Sequence, residues 1–391
     1  MQTAKRLQGI GEYYFSQKLR EIEELNKQGK NIINLGIGSP DLAPHASVIK
    51  VLQEECSKSN VHAYQSYKGS AVLRNAIKDW YKKWYGVELN AETNILPMIG
   101  SKEGIMHLCM TYFEEGVGVL VPNPGYPTYT SAVKLAGATP VFYDLKAANN
   151  YEPDFDALQN QITDKNIKGF FINYPHMPTG TNGNRELFKK IIAFAKANQL
   201  LVIHDNPYSF ILNNQPLSIL SVEGAINVAV ELNSLSKSHN MAGWRLGMLC
   251  GSKEHIDEVL KFKSNMDSGM FLPVQLAAAT ALGLGEEWHD GLNKIYTERR
   301  LKVFALLDLL GCNYNKNQVG MFVWASIPLT YKDGFALSDE VLYGANVFIT
   351  PGGIFGDAGN PYIRISLCGS IEKFEQAIER VTKLFASKQT V

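Results

Sequence analysis

No stretch of this 391-residue sequence runs to eighteen consecutive apolar residues, which argues against a membrane-spanning helix. Neither sign of charge is in excess. Lys plus Arg and Asp plus Glu each number 38, so no general basic surface for nucleic acid or anionic lipid is implied. Cysteine is scarce and unpatterned. The five, Cys56, Cys109, Cys250, Cys312 and Cys368, show neither C-x-x-C nor Cys/His spacing, which argues against a disulfide framework and against a metal site of the zinc type. The first thirty residues have no apolar core behind their basic residues and do not read as a secretory signal. Internal repeats, low-complexity segments and Pro/Ser-rich linkers are also missing. With 45% hydrophobic and 19% charged residues, what remains is an ordinary globular protein, expected in a cytoplasm and long enough for two or three domains.

What is present is an alternation. Seven short apolar runs, NILPMIG, VGVLVP, TPVFYDL, GFFINYP, LLVIHDN, INVAVELNS and RLGMLCG, are separated by stretches of helical periodicity. Over residues 70–85, Leu73, Ile77, Trp80 and Trp84 recur at helical spacing and Gly86 closes the pattern; Leu187, Ile191 and Phe194 form a second stripe. Seven strands with intervening helices predict an α/β fold built on a mainly parallel sheet covered on both faces. The first thirty residues also carry helical periodicity, ending at Gly29. After about residue 280 the texture changes. A long amphipathic stretch leads into FVWASIPL, VFITPGG and YIRISLCG, then into a last helix with Phe374, Ile378, Val381 and Phe385 on one face. A large domain at 46–280 and a smaller α/β domain at 281–391 are expected, with residues 1–45 packing on the smaller one.

Sites in such sheets lie beyond the carboxyl ends of the strands, and there the chemically unusual residues fall. Lys237 sits among Ser234, Ser236 and Ser238 in LNSLSKSHNMAGWRLG, with Arg245 following. An ammonium in a mostly apolar segment loses hydration, and the neutral amine thereby favoured forms Schiff bases; equally, it is a surface lysine in a Ser-rich loop. Gly100, Ser101 and Lys102 follow one strand and open a helix, which makes either an anion site or an N-cap at Ser101. Tyr126 lies between two prolines, suited to stacking on a planar ring or to the core. Asp205 ends the run LLVIHDN. It reads as a cap of a following helix or as a partly buried anion able to hold a proton on a ring nitrogen. Arg364, in YIRIS, offers a fork for a carboxylate or a structural ion pair. Together these groups match pyridoxal phosphate and an amino acid.

The sequence resembles the class I/II aminotransferases of fold type I over nearly its whole length. The most specific part is S-L-S-K followed by G-W-R-L-G. The resemblance implies a pyridoxal 5'-phosphate enzyme that moves an amino group from an L-amino acid to a 2-oxo acid. Lys237 would be the Schiff-base lysine and catalytic proton carrier, with Ser234, Ser236 and Arg245 beside the phosphate. Asp205 and Tyr208 match D-x-x-Y, which implies contacts to the pyridine nitrogen and the ring hydroxyl. Gly100, Ser101 and Lys102 match the phosphate turn, and Tyr126 the stacking aromatic. Gly38 in LGIG and Arg364 are similar to substrate carboxylate contacts. Tyr64 resembles a tyrosine that reaches the neighbouring subunit's phosphate, implying a homodimer with shared active sites. One departure stands out: where the family has N-P-T-G, this sequence has M-P-T-G, and the thioether of Met177 cannot donate to the ring hydroxyl. Tyr208 alone, His176 or Asn173 would then hold that oxygen. No arginine lies between Arg245 and Arg299, which weakens a dicarboxylate-specific assignment, and IGSKEGI, NMAGWRLG and KSNMDSG look most like the alanine and LL-diaminopimelate branch. Neutral or amine-bearing donors with 2-oxoglutarate follow. The alternatives are a cystathionine β-lyase-like C–S lyase and a non-catalytic cofactor-binding regulator.

Overall fold

The computed structural model describes residues 2–12, 14–163 and 165–388, with side chains to 386. Strand β1 (Ile33–Asn34) lies outside the large sheet. The seven apolar runs become β2 (Ile95–Met98), β3 (Gly118–Asn123), β4 (Thr139–Asp144), β5 (Ile167–Ile172), β6 (Leu201–Asp205), β7 (Ala229–Ser234) and β8 (Gly247–Cys250). They form one sheet in the order β2-β8-β7-β6-β5-β3-β4, parallel except for β8, which runs against both of its neighbours. β2 and β7 therefore point the same way, and their carboxyl ends flank the start of β8: Met98 and Ser234 both pair with Gly247.

These strands read as unbroken apolar runs because both faces are buried. Successive side chains separate into two cores. Leu120, Phe170, Val202 and Met248 pack with Leu73, Ile77 and Trp80 of the helix Ala71–Tyr85 and with Leu187 and Ile191 of the helix Arg185–Asn198. Their neighbours Val121, Phe171, Ile203 and Leu249 pack instead with Ile105, Leu108 and Tyr129 on the other face. Ser70 caps the first of those helices through a 3.2 Å bond to the Leu73 N–H, and Gly86 ends it in the left-handed conformation.

Strands β9 (Asn313–Tyr314), β10 (Phe322–Ser326), β12 (Thr350–Pro351) and β13 (Tyr362–Ser366) form a second, antiparallel sheet, while β11 (Val347–Phe348) pairs in parallel with β1. The helices Glu286–Leu309 and Ile371–Lys388 pack with one another beside this sheet. At the start of the chain the helix is shorter than its periodicity predicts, spanning Tyr14–Lys27, because Gly9 and Gly11 precede it and favour irregular backbone. No helix among the described residues is long and apolar enough to cross a membrane.

Candidate active site

A cavity of about 460 Å³ opens at the carboxyl ends of the large sheet's strands and brings Gly38, Ser101, Lys102, Tyr126, Asp205, Tyr208, Ser234, Ser236, Lys237, Arg245 and Arg364 together. Gly100 lies against the same wall. Its φ of +83° favours glycine, and an added Cβ would stand 2.2 Å from Arg245 Nη2 and push that guanidinium aside. The helix Ser101–Tyr112 begins one residue later with Gly100 as its cap, so Ser101 is a first-turn residue and not the N-cap. The N–H groups of its first turn make a position suited to an anion. Glu103 braces the turn by accepting the Ile99 N–H at 2.5 Å, and the fully buried ammonium of Lys263 is the cation among Glu103, His107 and Asp267. From the facing strand end, Ser234 Oγ accepts the Ser236 N–H at 3.1 Å. Arg245 is anchored by Nη1 on the Ala242 carbonyl at 2.9 Å.

No helix follows Asp205; a turn does, which removes the capping role. Asp205 is buried, its Oδ2 accepts the Tyr129 hydroxyl at 2.7 Å, and its Oδ1 has no hydrogen-bond partner among the described residues. Burial pushes its carboxyl up to about 6, against the Tyr129 hydrogen bond and the His204 charge. Lys237 Nζ donates to the Gly38 carbonyl at 2.5 Å. Burial pulls this amine down to about 8; Cys368 opposes the shift, and Arg364 and Arg245 add to it.

Arg364 comes from β13, with its guanidinium carbon 3.9 Å over the Phe322 ring and 4.6 Å over that of Phe355. It donates to the Gly36 carbonyl at 2.7 Å and to the Met177 sulfur at 3.2 Å. A Cβ on Gly38 would meet Phe322 at 2.2 Å, so the backbone here closes on the arginine's aromatic platform. Asn173 does reach the cavity, but its amide is engaged with the Asp205 carbonyl at 2.6 Å and the Met177 N–H at 2.7 Å. His176 bonds Thr179 at 2.8 Å, outside the lining, and burial pulls it down to about 3. Tyr208, the third candidate, also lines the cavity.

Tyr64 lies elsewhere: it is 91% exposed and does not line its own chain's cavity. Sequence reasoning missed Tyr129, one helical turn beyond Tyr126 and indistinguishable there from a core aromatic. It also missed Phe15 and Leu19 from the first helix and Phe322 and Phe355 from the C-terminal region, all of which line the cavity. The arrangement fits pyridoxal phosphate: a cradle of N–H groups with an arginine, an amine of lowered basicity, and a buried carboxylate oxygen without a partner.

These features suit an enzyme that works through a carbonyl-bearing cofactor. The chain belongs to the class I and II aminotransferase family, whose description matches residues 30–381, and it is an aminotransferase. It is 38% identical over 386 residues to an LL-diaminopimelate aminotransferase of Moorella thermoacetica, with 98% of each chain covered. The substrate-bound BacF structure from Bacillus subtilis superposes with a TM-score of 0.93 at 35% identity, covering 98% of each chain. An aromatic aminotransferase from Pyrococcus horikoshii gives 0.86 at 30% identity over 95% of this chain and all of the other.

Proposed function

We propose that this chain binds pyridoxal 5'-phosphate in the cavity and moves an amino group from a neutral or amine-bearing L-amino acid to 2-oxoglutarate. The observation that carries this reading is the Lys237 amine and the partnerless Asp205 oxygen lining one cavity. Gly100, Ser101, Lys102, Ser234, Ser236 and Arg245 hold the phosphate, Tyr126 stacks on the ring, and Tyr208 bonds its hydroxyl oxygen. Asp205 keeps the ring nitrogen protonated. The bound cofactor supplies the electron sink. Arg364 and the Gly38 backbone orient the substrate carboxylate, and Lys237 takes the α-proton and returns it on the cofactor side. General base catalysis of this kind is worth about 10²- to 10⁴-fold.

Arg245 and Arg364 line the cavity, and both have assigned roles. The relative from Moorella supports an amine-bearing donor by its name. The assembly is a cytoplasmic homodimer. The exposed Tyr64 supports it by standing clear of its own cavity, where a partner's phosphate can take its hydroxyl, and the five free thiols suit a reducing compartment. The chain divides into 1–45, 46–280 and 281–391, a division supported by the pairing of β1 with β11. Screening amino donors against 2-oxoglutarate and pyruvate while following cofactor absorbance tests the reading. Pyruvate and ammonia released without an acceptor would sink it in favour of elimination.

A further inference from the structure

His204 and Glu231 sit side by side, in register on β6 and β7, and neither is exposed at all. His204 Nε2 lies 2.9 Å from the Tyr174 carbonyl oxygen, which only accepts, so this nitrogen carries a proton. His204 Nδ1 lies 2.8 Å from Glu231 Oε2, and one more proton is held between them. That oxygen also accepts the Ile219 N–H at 3.0 Å and the Ser218 hydroxyl at 2.8 Å, while Oε1 accepts the Tyr81 hydroxyl at 2.8 Å. An oxygen already receiving two donors is a poor place for a proton, so the nitrogen keeps it. The other titratable groups around Glu231, namely Tyr81, Tyr85 and Cys250, are held neutral by burial.

Successive strand residues point to opposite faces, so the imidazolium stands one residue from Asp205 yet on the side away from the cavity. Its charge favours the Asp205 carboxylate, against the burial that opposes ionisation there. The same contacts tie three strand ends together. Tyr174 follows β5, His204 immediately precedes Asp205, and Glu231 joins β7 to the helix Ala71–Tyr85 through Tyr81.

We propose that His204 and Glu231 are positioning residues, a buried imidazolium–carboxylate pair that keeps Asp205 ionised and aligned against the cofactor's ring nitrogen. The proposal rests on the assignment of Asp205 to that nitrogen.

Nitrogen-15 labelling of the histidines in the holoenzyme reads the protonation directly. The expected result is two N–H signals from His204 at neutral pH, where His176, His239 and His289, all pulled down by burial, are neutral. A single N–H signal, identified by its loss in His204→Gln, would overturn the proposal. The second readout is the pH midpoint of the absorbance change of bound pyridoxal phosphate. In His204→Gln and in the neutral pair His204→Gln/Glu231→Gln this midpoint rises by about half a unit or more. A ring with less positive charge at its nitrogen withdraws fewer electrons from the lysine-linked nitrogen, which then holds its proton to higher pH. The double variant leaves no buried charge unpaired and serves where the single one does not fold. If Asp205→Asn moves the midpoint and the His204 variants do not, the pair is only a structural clamp and the proposal is lost. If Asp205→Asn moves nothing, the Asp205 assignment itself is lost, and the proposal with it.

Discussion

The Tyr129 hydroxyl donates to Asp205 Oδ2 at 2.7 Å, while Asp205 Oδ1, equally buried, has no hydrogen-bond partner. The tyrosine fixes one oxygen of the carboxylate and leaves the second without a partner among the described residues. A hydrogen bond to a buried charge contributes about 1.5–3 kcal/mol. Tyr129→Phe should therefore weaken pyridoxal phosphate binding at pH 7 by about tenfold or more. An absorbance titration with an unchanged dissociation constant would remove Tyr129 from the site.

Asp205 also sets a conflict between stability and function. Its carboxyl is raised from 3.8 to about 6 in the folded chain. The stability tied to its protonated form is thus complete below pH 3.8 and lost as pH rises through 6. At pH 8 the ionised group costs about 2–3 kcal/mol. Asp205→Asn should raise the melting temperature of the cofactor-free protein at pH 8 and leave it nearly unchanged at pH 4, while weakening cofactor binding. A variant that melts lower at pH 8 would show that the carboxylate is compensated.

Lys237 is pulled down to about 8 by its apolar surroundings. The rate at which cofactor-free protein captures pyridoxal phosphate should rise with pH and level off above a midpoint near 8, following the neutral amine. A rise continuing to the ordinary lysine range would contradict the desolvation argument. Lys237→Ala should lose turnover altogether.

Met177 is packed on the Arg364 guanidinium, 3.2 Å from sulfur to nitrogen. Met177→Asn should supply the missing donor to the ring oxygen and lower the pH midpoint of the bound cofactor's absorbance, because a donated hydrogen bond favours the ionised form. The same change removes a contact of Arg364, so KM for the amino donor should change as well. Superimposable titration curves for the two proteins would end this account.

The large sheet was legible because its seven strands are apolar runs bounded by helical stripes, and a strand buried on both faces cannot hide its composition. Lys237 and Asp205 were legible because each stands at the carboxyl end of such a run or just beyond it, and Arg245 because it opens the last run, RLGMLCG. The cap at Ser101 could not be decided from sequence, since Gly100 and Ser101 both suit that position and only the backbone conformation separates them. Asn173 remained an open substitute for the donor missing at Met177 until its amide proved to be committed to two backbone groups. Strands β1, β9, β11 and β12 are two residues long and carry no period. Phe15 and Phe322 line one cavity although most of the chain separates them in sequence, and single-residue patterns do not encode such distances.

The pairing of Ile33 with Val347 and of Asn34 with Phe348 has a consequence for synthesis. Gly100, Asp205, Lys237 and Arg245 all leave the ribosome before residue 250, whereas Phe322, Phe355 and Arg364 leave much later, and β1 waits for β11 before it can join a sheet. Ribosome-borne chains halted shortly after residue 280 would thus carry Gly100, Asp205, Lys237 and Arg245 but not Phe322, Phe355 or Arg364. The residues proposed to hold the phosphate are thus synthesised before Arg364, the arginine proposed for the substrate carboxylate.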